Sequence, residues 1–261
     1  AASIGALIKY PWTSQGPRGR SKFNIYQTEL PFIRRVAAEL GLLEAGCDQW
    51  VRHPLSYLME ASDDICYALL DLEDAVELEL LTDTEVESVL SELTFEESTW
   101  HAQSSRQRCA MLRGIAIGKA IEDAAQTFMK HQSDLLSGEF KGKDLISLCS
   151  PQVQNTLEKA KELARTRIFR HRTKLMTEIA TFPCLGSILD LFVPAAHALL
   201  VEQKLDVRQS LILDLLKNHN PILETDSLYQ AYMKILDFVG GMTDNAAAKM
   251  AQDLSGTGIL R

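Results

Sequence analysis

Between Pro54 and Leu81 apolar side chains recur every three or four positions, and a segment with that period has one compact way to bury them, as an amphipathic helix against a core. At about 100° per residue, Leu58, Ile65, Leu69, Leu72, Val76 and Leu80 fall on one side, and Ser56, Glu60, Asp63, Tyr67, Asp71 and Asp74 on the other. Pro54 suits the first helical turn, because the N–H that proline lacks would have no partner there. The region is also electrostatically lopsided. From His53 to Ser105 the chain has 14 Asp and Glu and no Lys or Arg, while the other 21 acids are set against all 27 bases. Such a run reads either as a solvated face or as the surroundings of a cation.

Helical periodicity dominates the rest of the chain. It predicts helices over Thr28–Leu40 with Gly41 as C-cap, Thr84–Leu93, Arg106–Lys130, Pro151–Thr181, Phe182–Leu200, Val207–Asn218 and Thr225–Val239. Pro183, Pro194 and Pro221 are read as boundaries or kinks. Residues 1–27, with Pro11, Gly16, Pro17, Gly19 and the bases Lys9, Arg18, Arg20 and Lys22, read as a basic loop, and Gly138–Ser150 as a polar connection. No period-2 alternation is sustained and no segment repeats, so the fold class is all-α. Five widely spaced cysteines with no CxxC pair favour neither a disulfide framework nor a zinc knuckle, and a reducing cytoplasmic location is expected. The stretch AASIGALIK is too short for a secretion signal. Cys184–Val201 is apolar but broken by Asp190, Pro194 and His197, which predicts a buried helix and no membrane partner.

Asp63, Tyr67 and Asp71 stand at i, i+4 and i+8, so their tips line about 12 Å of one helix face. Carboxylates suit hard or borderline divalent cations, and a tyrosine offers a stacking ring and a hydroxyl. A solvated helix face would show the same spacing.

The string WVRHPLSYLMEASDDICYALLDLEDA, Trp50–Ala75, resembles the segment of bacterial dGTPases and dGTPase-like proteins of the HD superfamily that carries their last metal-binding aspartate. IKYPW at Ile8–Trp12 with KF at Lys22–Phe23, and DFVGGMTD at Asp237–Asp244, match the same family in the same order. The resemblance implies an HD-domain-like multi-helix bundle, present in part over residues 1–135, followed by a helical C-terminal region over 136–261. It implies hydrolysis of a dNTP, dGTP first, to deoxynucleoside and inorganic triphosphate with a divalent metal (Mn²⁺, Fe²⁺, Co²⁺ or Mg²⁺). Asp63 becomes a metal ligand, and Lys9, Tyr10 and Lys22 hold the triphosphate. Tyr67 packs under the deoxyribose and Asp71 meets its 3′-hydroxyl. Phe169 and Glu178, within RIFRHRTKLMTEIA, match positions that approach the base. A homo-oligomer, hexamer or tetramer, and a single-stranded DNA or dNTP effector are the further partners implied.

This chain departs from the family in three places. It has no His-Asp dipeptide, and none of its six histidines precedes KYPW. The expectation is that the remaining metal ligands and the catalytic His and acid lie in a further N-terminal segment, and that this chain alone is inactive. Asn24 stands where the family commonly has Gly after KF, and it tolerates the left-handed conformation. Asn245, Ala246 and Ala247 replace Arg-Tyr-Ala after GMTD. Different classes of function are the alternatives: a non-catalytic module binding nucleotides or single-stranded DNA through the basic stretch Lys159–Lys174, or a helical assembly piece with no ligand. A pI near 5.3 weighs against the first of these.

Overall fold

A computed structural model describes residues 2–16, 22–94 and 104–258. The chain divides into two compact units, Ala1–His171 and Arg172–Arg261. The fold class is all-α. The strands found among the described residues form one short antiparallel hairpin, β1 (Glu44–Gly46) with β2 (Gln49–Trp50).

The first unit contains α1 (Leu30–Leu40), α2 (Pro54–Glu77), α3 (Asp83–Thr94), α4 (Ser105–Lys130), the short α5 (Gln132–Ser137) and α6 (Pro151–Leu163). Its core is the packing of α2, α3, α4 and α6. The most buried stripe of α2 is Ala61, Ile65, Ala68, Leu69, Leu72 and Ala75, and Leu58, Val76 and Leu80 only flank the core. The stripe therefore leans towards the alanines, to which periodicity counting gives little weight. Ala116, Ala120 and Ala124 of α4 are buried in the same core, and side chains that small let helices approach closely. Ser56, expected on the polar side, is fully buried, because Arg52 folds back over the first turn and donates from Nη2 to Ser56 Oγ at 3.3 Å.

Both ends of α2 follow from local chemistry. The His53 imidazole accepts from the Leu55 N–H at 3.1 Å, ahead of Pro54. At the other end Glu79 takes φ of 57°, and the N–H groups of Leu80 and Leu81 turn back to the Ala75 carbonyl. The helix thus stops at Glu77, short of Leu81.

Two expectations for the later helices need correction. The basic stretch is not one helix to Thr181. After α6 a π turn spans Ala164–Ile168, the Phe169 N–H reaches the Ala164 carbonyl at 2.9 Å, and α7 begins at Arg172. Nor does Pro183 mark a boundary between two helices: like Pro194, which the predicted helix already contained, it lies inside α7 (Arg172–His197), which a π turn extends to Glu202. Each proline removes a helical hydrogen bond, but burial of Ile188, Phe192, Ala195 and Ala196 against α8 (Val207–Asp214), α9 (Leu228–Gly240) and α10 (Asp244–Leu254) outweighs that loss. Arg172–Glu202 is long and apolar enough to cross a membrane by length and composition, and one face of it is the core of the second unit. The helix α10 escaped the sequence reading. Thr243 caps it by accepting from the Ala246 N–H at 3.3 Å, and Ala247 is buried, so Asn245–Ala247 continue a helix where the family has Arg-Tyr-Ala. Residues 1–27 are likewise not all loop, because Ala2–Leu7 forms a 3-10 helix.

One thiol in the first unit is chemically distinctive. Cys109 Sγ donates to the Asp83 carbonyl at 3.4 Å. Burial, reinforced by the charges of Asp83 and Glu87, pushes the thiol up to about 12. Alkylation at pH 9 should therefore modify the exposed Cys47 and Cys66 and leave Cys109 untouched. The sign for stability follows. A raised folded-state value favours the fold in full below the ordinary 9.0, and this contribution fades as pH climbs towards about 12. Labelling of Cys109 as fast as Cys66, followed by peptide mass, would contradict this.

Candidate functional site

The two loop strings KYPW and KFN are zipped together. Asn24 N–H donates to the Tyr10 carbonyl at 3.0 Å, Ile25 N–H to that of Trp12 at 3.3 Å, and Trp50 N–H to that of Pro11 at 3.0 Å. The Trp12 indole, only 8% exposed, donates Nε1–H to the Lys22 carbonyl at 2.7 Å. Asn24 does not use the left-handed conformation expected of a glycine replacement. Its side-chain oxygen instead accepts the Tyr10 N–H at 2.7 Å, a bond that glycine cannot make. The result is a small cationic cluster. Lys9 and Lys22 bring their ammonium groups to 5.5 and 5.7 Å from the centre of the Tyr10 ring, so the three residues expected at the triphosphate meet.

This cluster is tied to α2. Lys9 Nζ lies 2.8 Å from Glu60 Oε1, and Arg52 Nη2 lies 2.7 Å from Glu60 Oε2. Partial burial pulls the Lys9 ammonium down, but the hydrogen bond and charge of Glu60, with help from Tyr10, raise it above the ordinary lysine value overall. Lys9 is therefore a firmly held cation at neutral pH.

Glu60 is three residues before Asp63 on the same helix. Asp63 and Tyr67 are exposed, Tyr67 at 65%, and Asp71 is half-buried. The adjacent aspartates differ: Asp64 pairs with Lys161 of α6 at 3.2 Å, whereas Asp63 makes no hydrogen bond or ion pair with a described residue. As a test of metal fit, no group of three or more His, Cys, Asp or Glu able to hold an ion occurs among the described residues. Asp63 offers one carboxylate, and the described residues alone do not complete a coordination shell.

Phe169 follows the π turn at Ala164–Ile168 and is 40% exposed. Glu178 is an exposed residue of α7 in the second unit. Four of the seven bases in the stretch are engaged within the first unit: Lys159 pairs with Glu92, Lys161 with Asp64, Arg165 with Glu158 and Glu162, and Arg167 with Glu85. Bases already paired with carboxylates make a poor track for a polyanion. Sequence reasoning placed Glu60 only on a polar face and missed Arg52 altogether. No spacing rule links either of them to Lys9.

No protein-family model matches the chain. A deoxyguanosinetriphosphate triphosphohydrolase-like protein of Pseudomonas aeruginosa is 37% identical over 98% of this chain and 59% of its own length. A protein of the same description from Synechocystis is 29% identical over the same shares. The deoxyguanosinetriphosphate triphosphohydrolase of Serratia proteamaculans is 29% identical over 74% of this chain and 42% of itself. The chain thus spans about three fifths of the length of the first two curated relatives.

Proposed function

Because this chain is a homologue of the deoxyguanosinetriphosphate triphosphohydrolase-like proteins, we propose that it carries part of a site that hydrolyses a dNTP, dGTP first, to the deoxynucleoside and inorganic triphosphate. The observation that carries this reading is the Lys9–Glu60 contact, which docks the loop cations on α2 one turn before Asp63. Lys9 and Lys22 then offer two ammonium groups to the triphosphate, with the Tyr10 ring between them. Asp63 supplies one ligand to a divalent cation such as Mn²⁺, Fe²⁺, Co²⁺ or Mg²⁺, the remaining ligands lying outside the described residues. One turn on, the exposed Tyr67 ring packs under the deoxyribose. Asp71, a further turn along, accepts from the 3′-hydroxyl.

Phe169 and Glu178 are assigned to the nucleobase bound by a neighbouring copy of the chain, as an aromatic surface and an acceptor for guanine N–H groups. A homo-oligomer that brings copies of the chain together, and a dNTP or single-stranded DNA effector, belong to the same proposal.

The test is triphosphate release by the full-length gene product with Mn²⁺, comparing dGTP with GTP. Release from dGTP with GTP disfavoured is the expected result, and Asp71→Asn should weaken use of dGTP by about 10–150-fold, a loss of about 1.5–3 kcal/mol for one charged hydrogen bond. Inertness towards every dNTP, or equal handling of dGTP and GTP, overturns the reading.

A further inference from the structure

The lysine placed at the triphosphate sits in a chain segment that is otherwise loop, and a free lysine is a poor phosphate anchor, since four rotatable bonds must be frozen when it binds. Here the freezing is already done. Glu60 Oε1 holds the Lys9 ammonium at 2.8 Å, and Oε2 is held in turn by Arg52 at 2.7 Å. Arg52 has little freedom of its own. Its guanidinium lies 4.0 Å from the centre of the Tyr57 ring, its Nη2 also donates to Ser56, and its side chain is 10% exposed. Tyr57 is buried and packs edge-on against Phe140 with ring centres 5.0 Å apart.

Two features speak against a merely stabilising contact. Arg52 Nε is buried with no hydrogen-bond partner, a cost that an apolar side chain on Tyr57 would avoid. In addition, one carboxylate serves two cations, so the group keeps a net positive charge and Glu60 does not cancel Lys9.

We propose that Glu60, braced by Arg52 on Tyr57, is a positioning residue that presets the Lys9 ammonium for the triphosphate of the substrate. This rests on the triphosphate role proposed above for Lys9. It makes a prediction opposite in sign to simple electrostatics. Neutralising a carboxylate close to a bound polyanion strengthens binding if the carboxylate is only a neighbouring charge, and weakens it if the carboxylate holds the anchor in place.

The experiment measures the affinity of the full-length gene product for inorganic tripolyphosphate by titration calorimetry. Lys9→Met should weaken binding, Glu60→Gln should weaken it by about 3–10-fold, as for one side chain that must now be immobilised on binding, and Glu60→Gln should cause no loss once Lys9 is already Met. If Lys9→Met weakens binding but Glu60→Gln leaves it unchanged or tighter, the inference is overturned and the triphosphate reading of Lys9 survives. If Lys9→Met has no effect, or the parent protein does not bind, both are overturned. Should Glu60→Gln fail to fold, Arg52→Lys keeps the charge but not the planar stack on Tyr57. It must show the same loss, and undiminished affinity overturns the proposal.

Discussion

Full-length protein carrying Asp63→Ala is expected to release no measurable triphosphate from dGTP and yet to unfold at the temperature of its parent. The loss should exceed the 10–100-fold typical of residues that only orient a metal ligand. The unchanged stability follows from surroundings: Asp63 is exposed and has no hydrogen-bond or ion-pair partner among the described residues, so its removal should shift unfolding by no more than about 0.5 kcal/mol. The neighbouring residue supplies the control. Asp64→Ala breaks the 3.2 Å bridge to Lys161, in which each side chain is 37% exposed. A bridge so exposed is worth about 0–1 kcal/mol, and activity should persist. Parallel assays of the two variants decide between them. An active Asp63→Ala beside an inactive Asp64→Ala would transfer the ligand role to the aspartate that Lys161 now holds.

The largest stability loss is expected in the second unit. Phe192 is fully buried among Ile188, Ala195, Ile212, Leu216, Ala231 and Ile235, and its ring centre lies 5.5 Å from that of Phe238. Phe192→Ala removes the ring and leaves a cavity, at a cost of about 3–5 kcal/mol. Phe192→Leu, which refills most of that volume, should cost clearly less. Denaturant unfolding of the two variants gives the ordering. A loss under about 1 kcal/mol for the alanine variant would mean that this core collapses freely around the gap.

Period alone made α2 legible, because it runs for more than six turns and Glu60, Asp63, Asp71 and Asp74 keep to one side. Where each helix stops was less visible. Glu79 ends α2 by turning left-handed without a glycine to announce it, and the π turn before Phe169 breaks a stretch that holds no glycine or proline to mark it. Pro183 misled in the other direction, because tertiary packing around Phe192 decides what α7 can absorb. At the site, the i, i+4, i+8 line of Asp63, Tyr67 and Asp71 could be read directly. That Asp63 is open while Asp64 is engaged could not, since the deciding partner, Lys161, is 97 positions away. Glu60 shows the same limit, with Lys9 approaching from a loop far back in the chain. Asn24 is a different case. From the sequence it counts only as a residue that tolerates the left-handed backbone, whereas the structure uses its side-chain oxygen.

The bases of the α6 region have a bearing on ionic strength. Lys159, Lys161 and Arg167 each reach across to a carboxylate on α3 or α2. Dissolved salt screens exposed pairs of this kind, so its first target in this region is the joint between helices. Added salt weakens these links, while the buried Val153, Leu157 and Ala160 keep α6 packed beside the helix that bears Asp63.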